Sequence, residues 1–372
     1  VKAINPGVPA QGVESLHYVG YDDDRGGIVS VVRALDSAHR FGCLLGVNPG
    51  FLQRRSPALP TLELPPLEGE RLGLETIWRA RGVAREVIRW LEAGSARVFH
   101  GHSRAGLAVA LWLDLMGERR AVVSVHCYGR RRGFYRWASR RLGDRLFWLS
   151  PAMKRYYGVG DETWDQCIPG CIPDGPGVRP ERVLGSGGTV LFGGMGALVP
   201  WKNWHLILGA VAALPQSTRQ KLRFIHIGSA TADPASKRFA AELRLRTAEL
   251  GLEAVVEWRG ELPSPGGFLA EIDCLVVASS NEPFSVSVLE ALAAGVPVLA
   301  ADSGGARDVV APGRNGWLFR SGDESDLALH LGRLANEVRG LDVSPSPGDL
   351  DRFFATAVAA RWAKVYSDAL GS

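Results

Sequence analysis

The chain has 372 residues, 46% of them hydrophobic and 22% charged, with a formal net charge of +4. That length suits two domains, each large enough to bury its own core, and the composition is that of an ordinary soluble globular protein rather than a disordered one. No apolar run approaches the roughly 18 residues that a membrane span needs, so a transmembrane protein is excluded.

The five cysteines form no regular framework. Cys167 and Cys171 are four apart, but no second Cys or His pair follows at zinc-site spacing, and the thiols read as reduced, cytoplasmic and mostly structural. The first residues, Val1-Lys-Ala-Ile-Asn-Pro, carry no signal-peptide pattern. Charge is uneven. Residues 1–175 carry 24 Lys and Arg against 18 Asp and Glu, a balance of +6, and residues 176–372 carry 19 against 21, a balance of −2. A basic first half suits an acidic acceptor or an anionic membrane surface, such as the inner face of a membrane.

Residues 1–14 have little pattern and read as loop. A first strand starts at Leu16, followed by Asp22-Asp-Asp-Arg-Gly26-Gly27 and a helix over 28–38. A Gly-rich turn between strand and helix lets backbone approach a phosphate closely, although a plain tight turn uses the same residues. Residues 41–47 read as a second strand. Residues 50–75, rich in Pro and Leu, read as a long surface connection. A helix is expected over 76–92, where Ile77, Val83, Val87, Ile88 and Leu91 share one side. A short strand over 97–100 ends in His100-Gly-His102-Ser. An apolar helix over 105–116 leads to Ala121-Val-Val-Ser-Val-His126, a strand that ends on a histidine. Such a histidine stands where open sheets bind ligands. The spacing of the three histidines does not demand a metal.

Residues 129–145 carry seven Arg and one acid, interleaved with Phe134, Tyr135, Trp137 and Leu142. One reading is a basic amphipathic segment, led by Arg130, Arg131 and Arg132, that binds a phosphate-bearing acceptor or anionic lipid. The other is a solvated helix with its aromatics packed inward and its Arg outward. Nucleic acid would favour the same pattern but is not the expected partner. A strand over 146–150, a short helix over 151–157 and an extended stretch over 166–173 complete the first half. Residues 174–188 have linker composition. The domains are therefore drawn as 1–175 and 176–350, with a terminal helix in 351–372.

The second half opens on Thr189-Val-Leu-Phe-Gly-Gly-Met-Gly196. A dinucleotide fingerprint fails here, because Val199 stands where the third Gly belongs and no strand-end acid follows about 20 residues on. Lys202, beside a Gly turn at the start of a helix over 204–214, suits a phosphate. A strand over 222–228, a charged helix over 236–250 and a strand and turn over 255–262 follow, the last holding Arg259, Gly260 and Leu262. Cys274-Leu-Val-Val-Ala reads as a buried parallel strand, residues 284–294 as a helix stopped by Gly295, and 296–300 as the returning strand. This βαβ unit brings a strand end and a helix N-terminus together in the crevice where such sheets take ligands.

That helix has no charged face and is expected to be buried nearly all round. Glu290 is its only charge, and a buried carboxylate must be paired or used. Glu282 stands at the mouth, beside first-turn amides that point outward for an anion. Two readings are open. Either the stretch seats a nucleoside diphosphate sugar, with pyrophosphate on the amides, ribose on Glu290 and the sugar near Glu282, or Glu282 is a cap and Glu290 meets a structural Arg. Beyond it lie Gly304-Gly-Ala-Arg-Asp308, a helix over 323–336, a Pro- and Ser-rich stretch over 340–349 and an amphipathic helix over 353–370.

The run from Glu282 to Glu290 resembles the Glu-x7-Glu motif of retaining nucleotide-sugar glycosyltransferases of the GT-B fold, the glycosyl transferases group 1 family. Leu289-Glu-Ala-Leu-Ala-Ala-Gly-Val-Pro-Val, Ser303-Gly-Gly and Asn315-Gly-Trp-Leu carry the resemblance, which is strong over 186–335 and looser over 15–175. It implies an α/β fold of two doubly wound Rossmann-like domains facing across a cleft, with the C-terminal helix returning to the first. It implies that Gly26 and Gly27 belong to a Gly-rich loop facing the donor phosphates and that His126 contacts donor sugar and acceptor. His100 and His102 match a more architectural His-x-His strand end. Arg259, Gly260 and Leu262 fall where the family holds the donor base, mostly by backbone. Lys202 matches a pyrophosphate-binding Lys, whereas the usual Arg five residues earlier is Ala197.

The expectation is a retaining glycosyltransferase with a nucleotide-diphosphate sugar as donor and no essential metal or other cofactor. Lys202 and the helix amides of Phe284, Ser285 and Val286 would stabilise the departing diphosphate, with Pro283 also at the donor, and His126, Glu282 and Lys202 would carry the reaction. The acceptor would be a carbohydrate, lipid-linked or small molecule met on the side of His102 and Arg130–Arg132. Two rivals are a sugar-nucleotide epimerase on the same fold and a non-catalytic nucleotide-sugar binding subunit.

Overall fold

A computed structural model describes residues 13–24, 27–38, 42–53, 58–68, 72–161, 163–174, 188–262, 264–280, 282–338 and 348–371. The chain runs β1 (Val13–Tyr18), α1 (Gly27–Ser37), β2 (Gly42–Val47), β3 (Thr61–Glu63), α2 (Leu74–Glu92), β4 (Val98–Gly101), α3 (Arg104–Leu115), β5 (Ala121–Val125), α4 (Arg132–Leu142), β6 (Leu146–Trp148) and α5 (Pro151–Tyr157). It continues as β7 (Val190–Met195), α6 (Trp204–Ala213), α7 (Gln216–Arg219), β8 (Leu222–Ile227), α8 (Pro234–Glu249), β9 (Val256–Gly260), α9 (Gly266–Glu271), β10 (Cys274–Val277), α10 (Val286–Ala293), β11 (Val298–Ala301), β12 (Gly316–Phe319), α11 (Glu324–Glu337) and α12 (Ala355–Gly371).

These elements form two compact units, Val1–Asp174 with Asp351–Ser372, and Gly175–Leu350. The first holds a six-stranded sheet of order β3-β2-β1-β4-β5-β6, the second a six-stranded sheet of order β12-β11-β10-β7-β8-β9. The strands pair in parallel in both. Counted from its own first strand, the second sheet repeats the order of the first. Helical crossovers join most of the strands, which is why the central ones read as continuous apolar runs buried on both faces. The strand order reverses between β1 and β4 in one sheet and between β7 and β10 in the other. At such a switch point the connections leave in opposite directions and open a crevice at the strands' carboxyl ends.

Local sequence fixes how the helices leave that edge. Ser103 caps α3, its Oγ accepting from the Gly106 N–H at 3.1 Å, so the helix starts right after His102. A Cβ on Gly101 would stand 2.7 Å from the Gly106 backbone; the bare backbones let α3 press against the end of β4. In the second unit Asp323 caps α11 through the Asp326 N–H at 2.9 Å. Leu327, Leu331 and Leu334 on α11 then join Trp204, Ile207, Leu208 and Val211 on α6 in one buried core with Phe192, Phe224 and Leu299 of the sheet.

The helix α12 belongs to the first unit although it follows the second in the chain. Val358, Trp362 and Tyr366 are buried, and the Tyr366 hydroxyl meets His100 Nδ1 at 2.7 Å. At its start, the Thr356 N–H donates to Asp174 Oδ1 at 3.0 Å.

Three expectations need correction. Residues 50–75 are not all connection: they contain β3, an edge strand paired with β2 from Leu45–Thr61 to Val47–Glu63. Three residues with only Leu62 buried leave no period to read. The helix expected from 284 begins at Val286, because Ser285 is extended (φ −93°, ψ 104°). It is also not buried all round. Val288, Leu289, Ala291 and Leu292 are buried, while Val286, Ser287, Glu290 and Ala293 form a half-buried stripe. The helices α7 and α9 and the strand β12 were not anticipated either; each has six residues or fewer.

Candidate active site

In the second unit, the loops after β7 and β10 flank the switch point and are fastened to each other. Lys202 ends a 3-10 turn, Pro200–Lys202, and Asn203 after it adopts left-handed backbone with φ 55°. That turn aims the Asn203 amide at the end of β10, where its Nδ2 donates to the Ala278 carbonyl at 3.0 Å. The Ser280 N–H donates to the Trp201 carbonyl at 3.0 Å. Trp204 Nε1 donates to the Ala197 carbonyl at 2.9 Å.

This clamp brings Lys202 and Glu282 together. Lys202 Nζ donates to Glu282 Oε2 at 2.6 Å, with each side chain 12% exposed. The ammonium also lies 4.6 Å from the centroid of the Trp201 ring, a cation–π contact. The Glu282 backbone is pinned from below: the Gly305 N–H donates to its carbonyl at 2.9 Å. At Gly304, φ is +56° and a Cβ would fall 1.9 Å from that carbonyl, so only glycine fits.

Beyond Glu282 the chain enters α10, whose N-terminus has no side-chain cap; Ser285 Oγ meets Ser287 Oγ at 2.9 Å instead. The N–H groups without an intrahelical partner at this end are those of Ser285, Val286, Ser287 and Val288, whereas Pro283 is an imino acid with no N–H to give. Phe284 and Ser285 are buried. Glu290 lies on the half-buried stripe, one turn below Val286, and is engaged within the fold.

At the edge strand β9, Arg259 is bound on both sides. Its guanidinium donates to Glu257 at 2.7 Å and to Glu271 at 2.6 Å. The bonds to Glu257 and then Glu271 raise its pKa above the ordinary value. Gly260 has φ +81°, and its carbonyl accepts from the Gly228 N–H at 2.7 Å. Leu262 is 37% exposed. Arg259 is thus held by carboxylates on its own unit.

In the first unit, β1, β4 and β5 lie side by side. The register sets His17 opposite His100, and alternate residues share a face, so Ser15, His17, His100, His102, Ser124 and His126 meet. Ser15 Oγ meets His17 Nε2 at 2.9 Å, His17 Nδ1 meets His102 Nε2 at 2.8 Å, and His102 Nδ1 meets His126 Nε2 at 3.1 Å. His100 stands beside this row, with Nε2 on Ser124 Oγ at 2.8 Å and Nδ1 on Tyr366. Desolvation holds the pKa values of His17 and His126 down to about 3. It holds those of His100 and His102 well below the ordinary value, assisted by the neighbouring imidazoles. All four are neutral near pH 7.

One ring nitrogen from each of His17, His100 and His102 lies within 4.8 Å of the others, a distance at which they could share a cation. Both ring nitrogens of each of the three already hold hydrogen-bond partners. This donor set is therefore satisfied without an ion. His17 was missed by sequence reasoning. The available signal was the repeat Ser15-x-His17, His100-x-His102 and Ser124-x-His126: polar residues at alternate positions of otherwise apolar strands.

The remaining predicted residues are dispersed. Gly26 lies outside the described residues. Gly27 opens α1 and is exposed, with no atom within 4 Å of a Cβ placed on it. Arg130, Arg131 and Arg132 are exposed at the start of α4, and Arg132 lies 4.0 Å from the Tyr156 ring centroid. Arg141 and Arg145 both pair with the buried Asp114. Tyr135 packs inward, but Trp137 is 49% exposed. The helix therefore combines both readings of the segment. The five cysteines form no disulfide, and four of them are buried. Among the described residues, no helix is long and apolar enough to cross a membrane.

Two repeated doubly wound sheets and a helix that returns to the first unit are the GT-B architecture, shared with solved glycosyltransferases. The structure of Anabaena HepE in complex with UDP and glucose aligns over 95% of this chain and 99% of its own, with a TM-score of 0.72 at 19% identity. Sucrose-phosphate synthase from Thermosynechococcus elongatus aligns over 96% and 99%, with a TM-score of 0.73 at 15% identity. Residues 183–338, most of the second unit, match the family model described as Glycosyl transferases group 1. Among relatives, a D-inositol 3-phosphate glycosyltransferase of Stackebrandtia nassauensis is 34% identical over 182 residues, 44% of this chain and 40% of that protein. A lipopolysaccharide 1,6-galactosyltransferase of Salmonella typhimurium is 32% identical over 111 residues, 28% and 31% of the two chains. The chain thus spans less than half the length of these curated relatives.

Proposed function

We propose that the protein is a glycosyltransferase that moves a sugar from a nucleoside diphosphate sugar to an acceptor hydroxyl with retention of configuration. The observation that carries this reading is the Lys202–Glu282 pair beside the uncapped N-terminus of α10, at the switch point of a domain that matches the family. Without donor, Lys202 and Glu282 satisfy each other. An arriving diphosphate competes for Lys202 and completes the first-turn amides, which frees Glu282 for the sugar hydroxyls. As the bond to the sugar breaks, Lys202 and the amides stabilise charge gathering on the leaving diphosphate. Glu290 is assigned to the ribose and His126 to the orientation of sugar and acceptor.

HepE was solved in complex with UDP and glucose and with UDP-glucose, which makes a uridine donor the first choice. Acceptors in the relatives' names are an inositol phosphate and a lipopolysaccharide. Both are hydroxyl-rich and anionic in character, which suits the exposed Arg130–Arg132 cluster. A second reading, a nucleotide-sugar binding subunit without turnover, is favoured by Ala197, which gives the diphosphate one cation fewer.

Thermal shift against UDP-, GDP-, ADP- and dTDP-sugars tests the donor seat, because a ligand that binds only the folded state raises the melting temperature. One donor is expected to shift the wild type, and Lys202→Ala to abolish the shift. No shift with any donor refutes the seat. Slow hydrolysis of that donor, lost in Glu282→Ala, separates an enzyme from a binding subunit.

A further inference from the structure

Ser15, His17, His102 and His126 form a single-file hydrogen-bonded row, with contacts of 2.9, 2.8 and 3.1 Å. A neutral imidazole has one N–H and one lone pair. The proton position on one ring therefore dictates the next, and only two arrangements satisfy the row. In one, Ser15 donates to His17 Nε2, and every ring carries its proton on Nδ1. In the other, His17 Nε2–H donates to Ser15, His102 Nε2–H to His17 and His126 Nε2–H to His102.

The choice is made at Ser15, whose hydroxyl has one proton to give. Two acceptors besides His17 lie beside it: the Gly42 carbonyl at 3.3 Å and Cys43 Sγ at 3.9 Å. A carbonyl has no proton to offer in return, so the proton of Ser15 goes that way and its lone pair is left for His17.

We propose that His17, His102 and His126 all carry their proton on Nε2, that His126 thereby presents the lone pair of Nδ1, and that His17 and His102 are positioning residues which set it. The group that His126 receives is then a hydroxyl, of the sugar or of the acceptor. A phosphate or carboxylate has no proton to give and is turned away. The inference rests on the role assigned to His126 above for its bearing on the reaction, but the proton positions stand on the geometry alone.

The test is a long-range proton–nitrogen NMR correlation on the full chain with 15N-labelled histidine, since the two tautomers give distinct patterns. The signal of His126 is assigned by its loss in His126→Gln. The expected result is an Nε2–H form for His126 in the wild type, and a mixture in His17→Phe and in the smaller change Ser15→Ala, which serves if the first variant does not fold. Transfer in Ser15→Ala is expected to fall roughly tenfold in kcat with little change in donor KM, the size of effect seen when an outer partner of a working histidine is removed. An Nδ1–H form in the wild type, or an unchanged Nε2–H form in both variants, overturns the proposal. Zinc retained in stoichiometric amount, with the stability of the protein lost to EDTA, overturns it too, because the rings would then be ligands. If His126→Gln keeps full transfer, the role given to His126 fails, and the NMR pattern still decides the proton positions.

Discussion

At the scale of single residues, the Lys202–Glu282 pair has a measurable signature. Each partner is largely withdrawn from water, so removing one leaves the other as an uncompensated charge, whereas removing both does not. Lys202→Met and Glu282→Gln should each cost about 2–3 kcal/mol in urea unfolding, and the double variant less than their sum. Additive losses would show that the two groups are not coupled in the folded protein. The direct contact of Lys202 with Glu282 was not legible in the sequence, where 80 residues separate them. What joins them is the Asn203 bond to Ala278, and no local pattern announces that contact.

At the scale of elements, α12 is the piece whose loss is felt furthest. Trp362 is buried against His100 and Phe147, with ring centroids at 4.2 and 5.1 Å. Trp362→Ala should cost about 3–5 kcal/mol of stability, read from denaturant unfolding of the first unit; a loss under about 1 kcal/mol would mean that the helix is not docked in solution. The helix α4 makes a different prediction. Its Trp137 and Arg130–Arg132 are free of the core, while Arg141 and Arg145 are held by Asp114. Replacing Arg130 and Arg131 by Gln should weaken sedimentation with vesicles rich in anionic lipid and leave stability unchanged within about 0.5 kcal/mol. Unchanged sedimentation would remove lipid from the list of partners.

Elements were legible in proportion to how much apolar sequence they bury. Strands such as β8 and β10, buried through most of their length, stood out as runs, and α3 and α6 as apolar helices. The edge strand β3 buries only Leu62 and left no mark. The open stripe of α10 escaped because Val286, Ser287 and Ala293 are small or apolar, and its one charge, Glu290, was expected to be buried. His17 escaped for a third reason. Its significance depends on β1 pairing with β4, about 80 residues later, and sheet order is not written in any one segment.

At the scale of the whole molecule, buried neutral histidines make stability depend on pH. His17 and His226 have folded pKa values near 3 and an unfolded value of 6.5, in each case because burial disfavours the cation. Below 6.5 the unfolded chain takes up protons that the folded one refuses. The stability is therefore complete above pH 6.5 and falls as pH drops toward 3, by about 1.4 kcal/mol per pH unit for each such group. Melting temperatures should be level from pH 7 to 8.5 and decline steadily below 6.5. A level profile down to pH 4.5 would contradict the burial of these rings in solution.

The position of α12 also sets an order of events during synthesis. The second unit is one uninterrupted stretch, but the first is completed only by residues that leave the ribosome after it. Until residues 351–371 emerge, His100 lacks Tyr366 and the socket for Trp362 is open. The half made first is therefore finished last. A released chain truncated after residue 350 should resist protease over its later-made portion and yield over its earlier one.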